Sequence, residues 1–127
     1  MQLENVILKN DTKLISHVCI SGKTNIGKNN LFYPFSSIGL IPQDLKYKEE
    51  NSELTIGNNN IFRENVTVNI GTRGGGMKTE IGSNCLFMIG SHIAHDCKIS
   101  DFVILANNAT LAGHVSIENN AIIGGLS

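Results

Sequence analysis

The sequence predicts an all-β fold, a parallel β-helix built from hexapeptide repeats, and three observations carry that expectation. A bulky apolar residue returns at every sixth position, a small residue sits two places before it, and the residues between are rich in Gly, Asn, Asp and Ser. Six residues along an α-helix advance the side chain by about 240°, so the apolar positions would scatter around it and form no face. Two inward residues separated by one outward residue is strand alternation. A sandwich of short strands is the ordinary alternative. Its spacing would drift, and this spacing does not.

A first run of bulky positions reads Leu8, Leu14, Ile20, Ile26, Phe32 and Ile38. The next two slots hold Asp44 and Glu50, so the stretch between Ile38 and Ile56 is predicted as a loop. A short run, Ile56, Phe62 and Val68, follows. The register then slips by one residue before Ile81, across residues 71–78, which predicts a second excursion. The last run is unbroken through Ile81, Phe87, Ile93, Ile99, Leu105, Leu111, Ile117 and Ile123, with Cys85, Ser91, Cys97, Val103, Ala109, Val115 and Ala121 in the small slots. Three hexads make one triangular coil of eighteen residues, stacked at the strand spacing of about 4.8 Å. Six coils or so fit, and all seventeen bulky positions are expected to be buried. The sixteen asparagines suit corners in the left-handed backbone region, and Ile-Gly recurs at Ile26, Ile38, Ile56, Ile81 and Ile123. Loops that interrupt a regular solenoid are where function concentrates.

Composition bounds the class of function. The chain has 127 residues, a net charge of −1, no Trp and 17% charged residues. That fits one folded domain over 1–127, with no tail or patch for nucleic acid. No basic start leads into a long apolar core, and no apolar stretch is long enough to span a bilayer, so a cytoplasmic protein is expected. Cys85 and Cys97 hold inward slots on different faces while Cys19 points outward, which predicts free thiols. Polar Glu4, Asn5, Lys9, Asn10 and Asp11 are candidates to cap the first coil. The pattern stops in mid-repeat at Gly124-Gly125-Leu126-Ser127, the mark of the front part of a longer protein or of an end that a partner covers.

His92, His95 and His114 fall at outward or turn positions. His114 lies nineteen places after His95, one coil plus one residue, so the two are expected on the same edge of the prism. A single outward histidine is ordinarily just solvated; three in one neighbourhood point to a site.

The wording around them is specific. Ser91-His92-Ile93-Ala94-His95-Asp96-Cys97, and the run from Ile104 through Asn107-Asn108-Ala109-Thr110-Leu111-Ala112-Gly113-His114-Val115, resemble the UDP-N-acetylglucosamine O-acyltransferases that begin lipid A synthesis. So does Ser37-Ile38-Gly39 leading to Pro42-Gln43-Asp44-Leu45-Lys46-Tyr47-Lys48, and so does Gly71-Thr72 with Gly74-Gly75-Gly76. The resemblance covers nearly the whole chain. It implies a left-handed β-helix assembled as a homotrimer, with active sites between subunits, although the usual parallel crossover is right-handed. It further implies transfer of an (R)-3-hydroxyacyl group from acyl carrier protein to the 3-hydroxyl of UDP-N-acetylglucosamine, with neither metal nor cofactor.

A sugar hydroxyl attacking a thioester calls for a base titrating near neutrality, and histidine is the side chain closest to that. By the resemblance His95 is that base, Asp96 assists it, and the Gly113 N–H receives the oxyanion. Asp44, His92, His114 and Lys46 correspond to contacts with the sugar nucleotide. Two departures stand out: Asn69 occupies a position where the family often has histidine, and the family's later coils and helical domain have no counterpart after Ser127. Four other readings remain: a later N-acyltransferase of lipid A synthesis, an acetyltransferase using acetyl-CoA, a carbonic anhydrase holding zinc through His92, His95 and His114, and a non-catalytic trimeric scaffold.

Overall fold

A computed structural model describes residues 5–48 and 51–127, and within them the chain winds through seventeen short parallel strands. The strands stack into three sheets. The first face runs Val6–Leu8, Lys23–Ile26, Glu53–Ile56, Lys78–Ile81, Lys98–Ile99 and Ser116–Ile117. The second runs Lys13–Leu14, Leu31–Phe32, Ile61–Phe62, Leu86–Phe87, Ile104–Leu105 and Ile122–Ile123. The third runs Cys19–Ile20, Ser37–Leu40, Thr67–Asn69, His92–Ile93 and Thr110–Leu111. The count is therefore five complete coils and two strands of another.

Register follows the predicted repeat. Leu8 pairs with Ile26, Phe87 with Leu105 and Ile93 with Leu111, each eighteen places on. Both predicted excursions are present. Ile26 pairs with Ile56, thirty places on, so the first loop inserts twelve residues; Ile56 pairs with Ile81, twenty-five on, so the second inserts seven. One hexad plus one residue is the slip seen in the sequence. Both loops leave the third face and re-enter on the first, at the same edge of the prism.

The core is one column of apolar side chains. Ile20, Phe32, Ile38, Phe62, Val68, Phe87, Ile93 and Leu105 are wholly buried, and Phe32, Phe62 and Phe87 stack with ring centroids 4.5 and 4.9 Å apart. Burial of all seventeen positions is corrected at the ends. Leu8, Leu14, Ile117 and Ile123 are only partly buried, because an outer coil has a neighbour on one side only. The small slots also hold asparagine. Asn30 and Asn60 point inward; the Asn60 N–H donates to Asn30 Oδ1 and the Cys85 N–H to Asn60 Oδ1, a ladder that satisfies buried amides from coil to coil. Cys85 and Cys97 are buried, Cys19 is partly exposed, and all three are free thiols. Of the residues proposed as a first-coil cap, Glu4 lies outside those described, as does Glu50 of the first loop; Lys9, Asn10 and Asp11 are exposed.

The corners obey one rule. Three residues after every bulky position except Ile20, Ile38 and Val68 the backbone turns left-handed, at Asn29, Asn59, Asn65, Asn84, Asn108 and Asn120 as their chemistry predicts. The same conformation occurs at His17, Phe35, Asp96, Phe102 and His114. Gly39 is itself left-handed, but Gly27 and Gly57 of the Ile-Gly pairs answer a different need. A Cβ at Gly27 or Gly57 would meet the carbonyl of the glycine in the next coil at 2.5 and 2.6 Å, so this column admits no side chain.

Candidate functional site

Every proposed site residue lies along the edge between the third and first faces. His92 stands outward in its strand, His95 and Asp96 make the corner after it, Gly113 and His114 make the corner one coil on, and Asp44 and Lys46 belong to the first loop.

His95 is held on all sides. Its side chain is only 13% exposed, and Nδ1 lies 2.9 Å from Asp96 Oδ2. Its ring lies over Gly113, where a Cβ would collide with the imidazole, and meets the His114 ring edge-on with centroids 4.9 Å apart. On the other side Nε2 faces Asp44 Oδ2 at 3.8 Å. The Asp44 carboxylate is itself fixed, because its Oδ1 accepts the Lys46 N–H at 2.9 Å while its carbonyl accepts the Tyr47 N–H. The Lys46 contribution seen here is thus its backbone.

Asp96 is buried, and its left-handed backbone turns the carboxylate back toward its sequence neighbour. Burial alone would push its carboxyl up. Hydrogen bonds from the Thr72 hydroxyl and N–H and from His95 outweigh that and hold it below the usual carboxylate range. An ionised carboxylate only accepts, so the proton on this bond belongs to His95 Nδ1 and the lone pair sits on Nε2, toward the cavity. His92 differs. Its Nδ1 lies 2.6 Å from Thr67 Oγ1, and burial first, then the charge that His95 carries when protonated, pushes its titration below the usual histidine range.

A cavity of about 300 Å³ opens over this edge, lined by Gln43, Asp44, Asn69, His92, His95 and Leu111 among others. A second, of about 290 Å³, is lined by Asp44, Lys46, Tyr47, Thr72, Gly74 and His114. Asp44 belongs to both. Each is at the lower limit for a ligand pocket. Asn69 is buried in the wall of the first.

Two residues of this site belong to a loop motif to which the sequence assigns no role, Thr72, which holds Asp96, and Gly75, where a Cβ would collide with the Asp96 carboxyl; a third, Thr79, whose hydroxyl accepts the Asp96 N–H, has no signal in the sequence. The metal-ligand cluster among the described residues is His95, Asp96 and His114, with ligand atoms within 4.8 Å of one another. His92 is outside it, so one chain does not assemble the three-histidine set, and Asp96 already bonds to Thr72 and His95.

Residues 78–113 match the family described as bacterial transferase hexapeptide (six repeats). The whole prism is similar to a solved UDP-N-acetylglucosamine acyltransferase, at 49% identity and a TM-score of 0.96, over 97% of this chain and 48% of that one. It is similar to LpxA of Acinetobacter baumannii at 48% identity and 0.93, over 94% and 46%. For the UDP-N-acetylglucosamine acyltransferase LpxA of Bacteroides fragilis the values are 42% and 0.89, over 93% and 46%. The chain spans about half the length of these relatives. With its unbroken hexads, its two loops and its histidine edge, it belongs to the UDP-N-acetylglucosamine acyltransferase family.

Proposed function

We propose that the full protein transfers an (R)-3-hydroxyacyl group from acyl carrier protein to the 3-hydroxyl of UDP-N-acetylglucosamine, the first step of lipid A synthesis. The observation that carries this reading is the pairing of His95 Nδ1 with an ionised, buried Asp96, which leaves Nε2 free to take a proton at the cavity. In the reaction the sugar hydroxyl gives its proton to Nε2 as its oxygen attacks the thioester carbonyl. The oxyanion forms beside the Gly113 N–H, which has no acceptor among the described residues. Collapse expels the carrier thiolate, which recovers the proton from His95.

Asp44, His92, His114 and Lys46 line the approach and are assigned to the sugar nucleotide. The small cavities support closure by a neighbouring subunit of a homotrimer of left-handed β-helices. No helix of the described residues is long and apolar enough to cross a membrane; we assign the enzyme to the cytoplasm from its carrier-bound acyl donor. The 42–49% identity to UDP-N-acetylglucosamine acyltransferases favours this substrate over an N-acyl acceptor, acetyl-CoA or carbon dioxide, and over an idle scaffold.

The test is a steady-state assay of the full-length protein with hydroxyacyl carrier protein and UDP-N-acetylglucosamine. His95→Ala should lower the rate by roughly 10²–10⁴-fold, the usual worth of a general base, with sugar-nucleotide binding retained. Near-normal turnover in that variant would overturn the assignment.

A further inference from the structure

We propose that Thr72 is a positioning residue for acyl transfer, clamping the Asp96 carboxylate so that one oxygen is presented to His95. The proposal rests on the functional reading above and extends it to a residue in the second loop. Thr72 N–H lies 2.9 and 3.0 Å from the two Asp96 oxygens, and its hydroxyl donates to Oδ2, the oxygen that His95 also uses. Two donors from one residue, twenty-four places away in sequence, thus fix a carboxylate in the plane that meets the imidazole.

The local backbone shows that this use of the hydroxyl is not incidental. Thr72 stands at the N-cap of a short 3-10 helix, Arg73–Gly75, with extended φ and ψ of −130° and 163°. A threonine there ordinarily turns its oxygen to the helix N–H groups. This one makes no cap bond and reaches Asp96 instead.

The surroundings lock the arrangement. Thr72 is 5% exposed, its carbonyl accepts the Gly75 and Met77 N–H groups, and the Gly71 N–H is tied to the Glu53 carbonyl at 3.2 Å. Gly75 closes over the same carboxylate, and Thr79 holds the Asp96 N–H at 2.8 Å. A buried carboxylate with unoccupied lone pairs would rotate or take up a proton; with Thr72 in place it does neither, and His95 keeps its proton on Nδ1.

The experiment compares Thr72→Val, which removes the hydroxyl and keeps the shape, with Thr72→Ser, which restores it, both in the full-length protein. Thr72→Val should lower kcat by roughly ten- to a hundredfold, the worth of one hydrogen bond to a charged group, with KM for the sugar nucleotide unchanged. Thr72→Ser should recover most of the rate. The ring ¹⁵N shifts of His95 provide a readout that needs no turnover: the wild type should show the Nδ1–H form and Thr72→Val a mixture of the two tautomers. Should Thr72→Val fail to fold, Thr72→Ala carries the same expectations. Unchanged kcat and ring shifts in a folded hydroxyl-free variant, or equal losses in Thr72→Ser and Thr72→Val, would overturn the clamp. A wild type with the Nδ1–H form and no acyl transfer would instead overturn the functional reading and leave the clamp standing.

Discussion

At Asp96 a single side chain meets opposing demands. It has to be out of water to act on His95 at short range, and it has to stay ionised although burial disfavours charge. Donors from Thr72 resolve the conflict. Ser91 is the contrasting case, because its hydroxyl is wholly buried and has no hydrogen-bond partner among the described residues. An unpaired buried hydroxyl is a standing cost, so Ser91→Ala should leave activity intact and raise stability by about 1 kcal/mol, as urea unfolding would measure. The histidines were legible as a group, since their positions modulo the repeat put them on one edge. The contact between His95 and Asp96 came only with the family resemblance and not from spacing, because neighbours on a strand point apart; here the strand has ended at Ile93 and the left-handed turn at Asp96 brings the two side chains together.

The second loop shows what an element can do that a repeat cannot. Its glycines look alike in sequence and differ in space: a Cβ at Gly75 would collide with the Asp96 carboxyl and with His114, whereas one at Gly74 would meet nothing within 4 Å. Gly75→Ala should therefore abolish most acyl transfer and lower the melting temperature, while Gly74→Ala should leave that temperature unchanged; thermal unfolding of both variants checks the pair. The two excursions were legible because charged residues in inward slots and a slipped register cannot belong to a hexad. Their targets were not, since nothing in a run of Gly and Thr says which carboxylate it will cover. The corners divide in the same way. Asparagine announces a left-handed turn, but Phe35 and Phe102 adopt it against their type, each with its N–H bonded to a carbonyl of the coil below, at His17 and Ser83.

The three faces of the whole prism present different chemistry to the outside. The first carries a ladder of opposite charges, with Glu53 between Lys23 and Lys78 and Glu80 between Lys78 and Lys98, at 3.3 to 3.5 Å. Such exposed pairs add little stability, but they suit a face left in water. The third stacks Ser37, Thr67, His92 and Thr110 on its outer side, and His92 and Thr110 line the first cavity. The second carries Leu31, Ile61, Leu86, Ile104 and Ile122 in register on its outer side, with Ile61 38% and Ile122 70% exposed. Contiguous apolar surface of this kind is a mark of association. Sedimentation of the full-length protein should give three times the chain mass, and a stable monomer would refute the proposed trimer.

The edge that holds the site has a further property. Four successive coils meet there, each step adding about 4.8 Å along the axis, and the chain leaves and rejoins the prism at that edge after twelve extra residues once and seven another time. Beside the first detour the pairing of Ser37–Leu40 with Thr67–Asn69 shifts between Ile38 and Leu40, yet the inward positions stay in phase, Ile38 on Val68 and Ile26 on Ile56 on Ile81. The prism therefore behaves like a reading frame. Length added at this edge is silent for the core provided the next strand re-enters in phase, whereas one residue added inside a strand inverts every later side chain of that strand, inside to outside. New chemistry can be written at one edge of such a molecule while the rest of its text stays as it was.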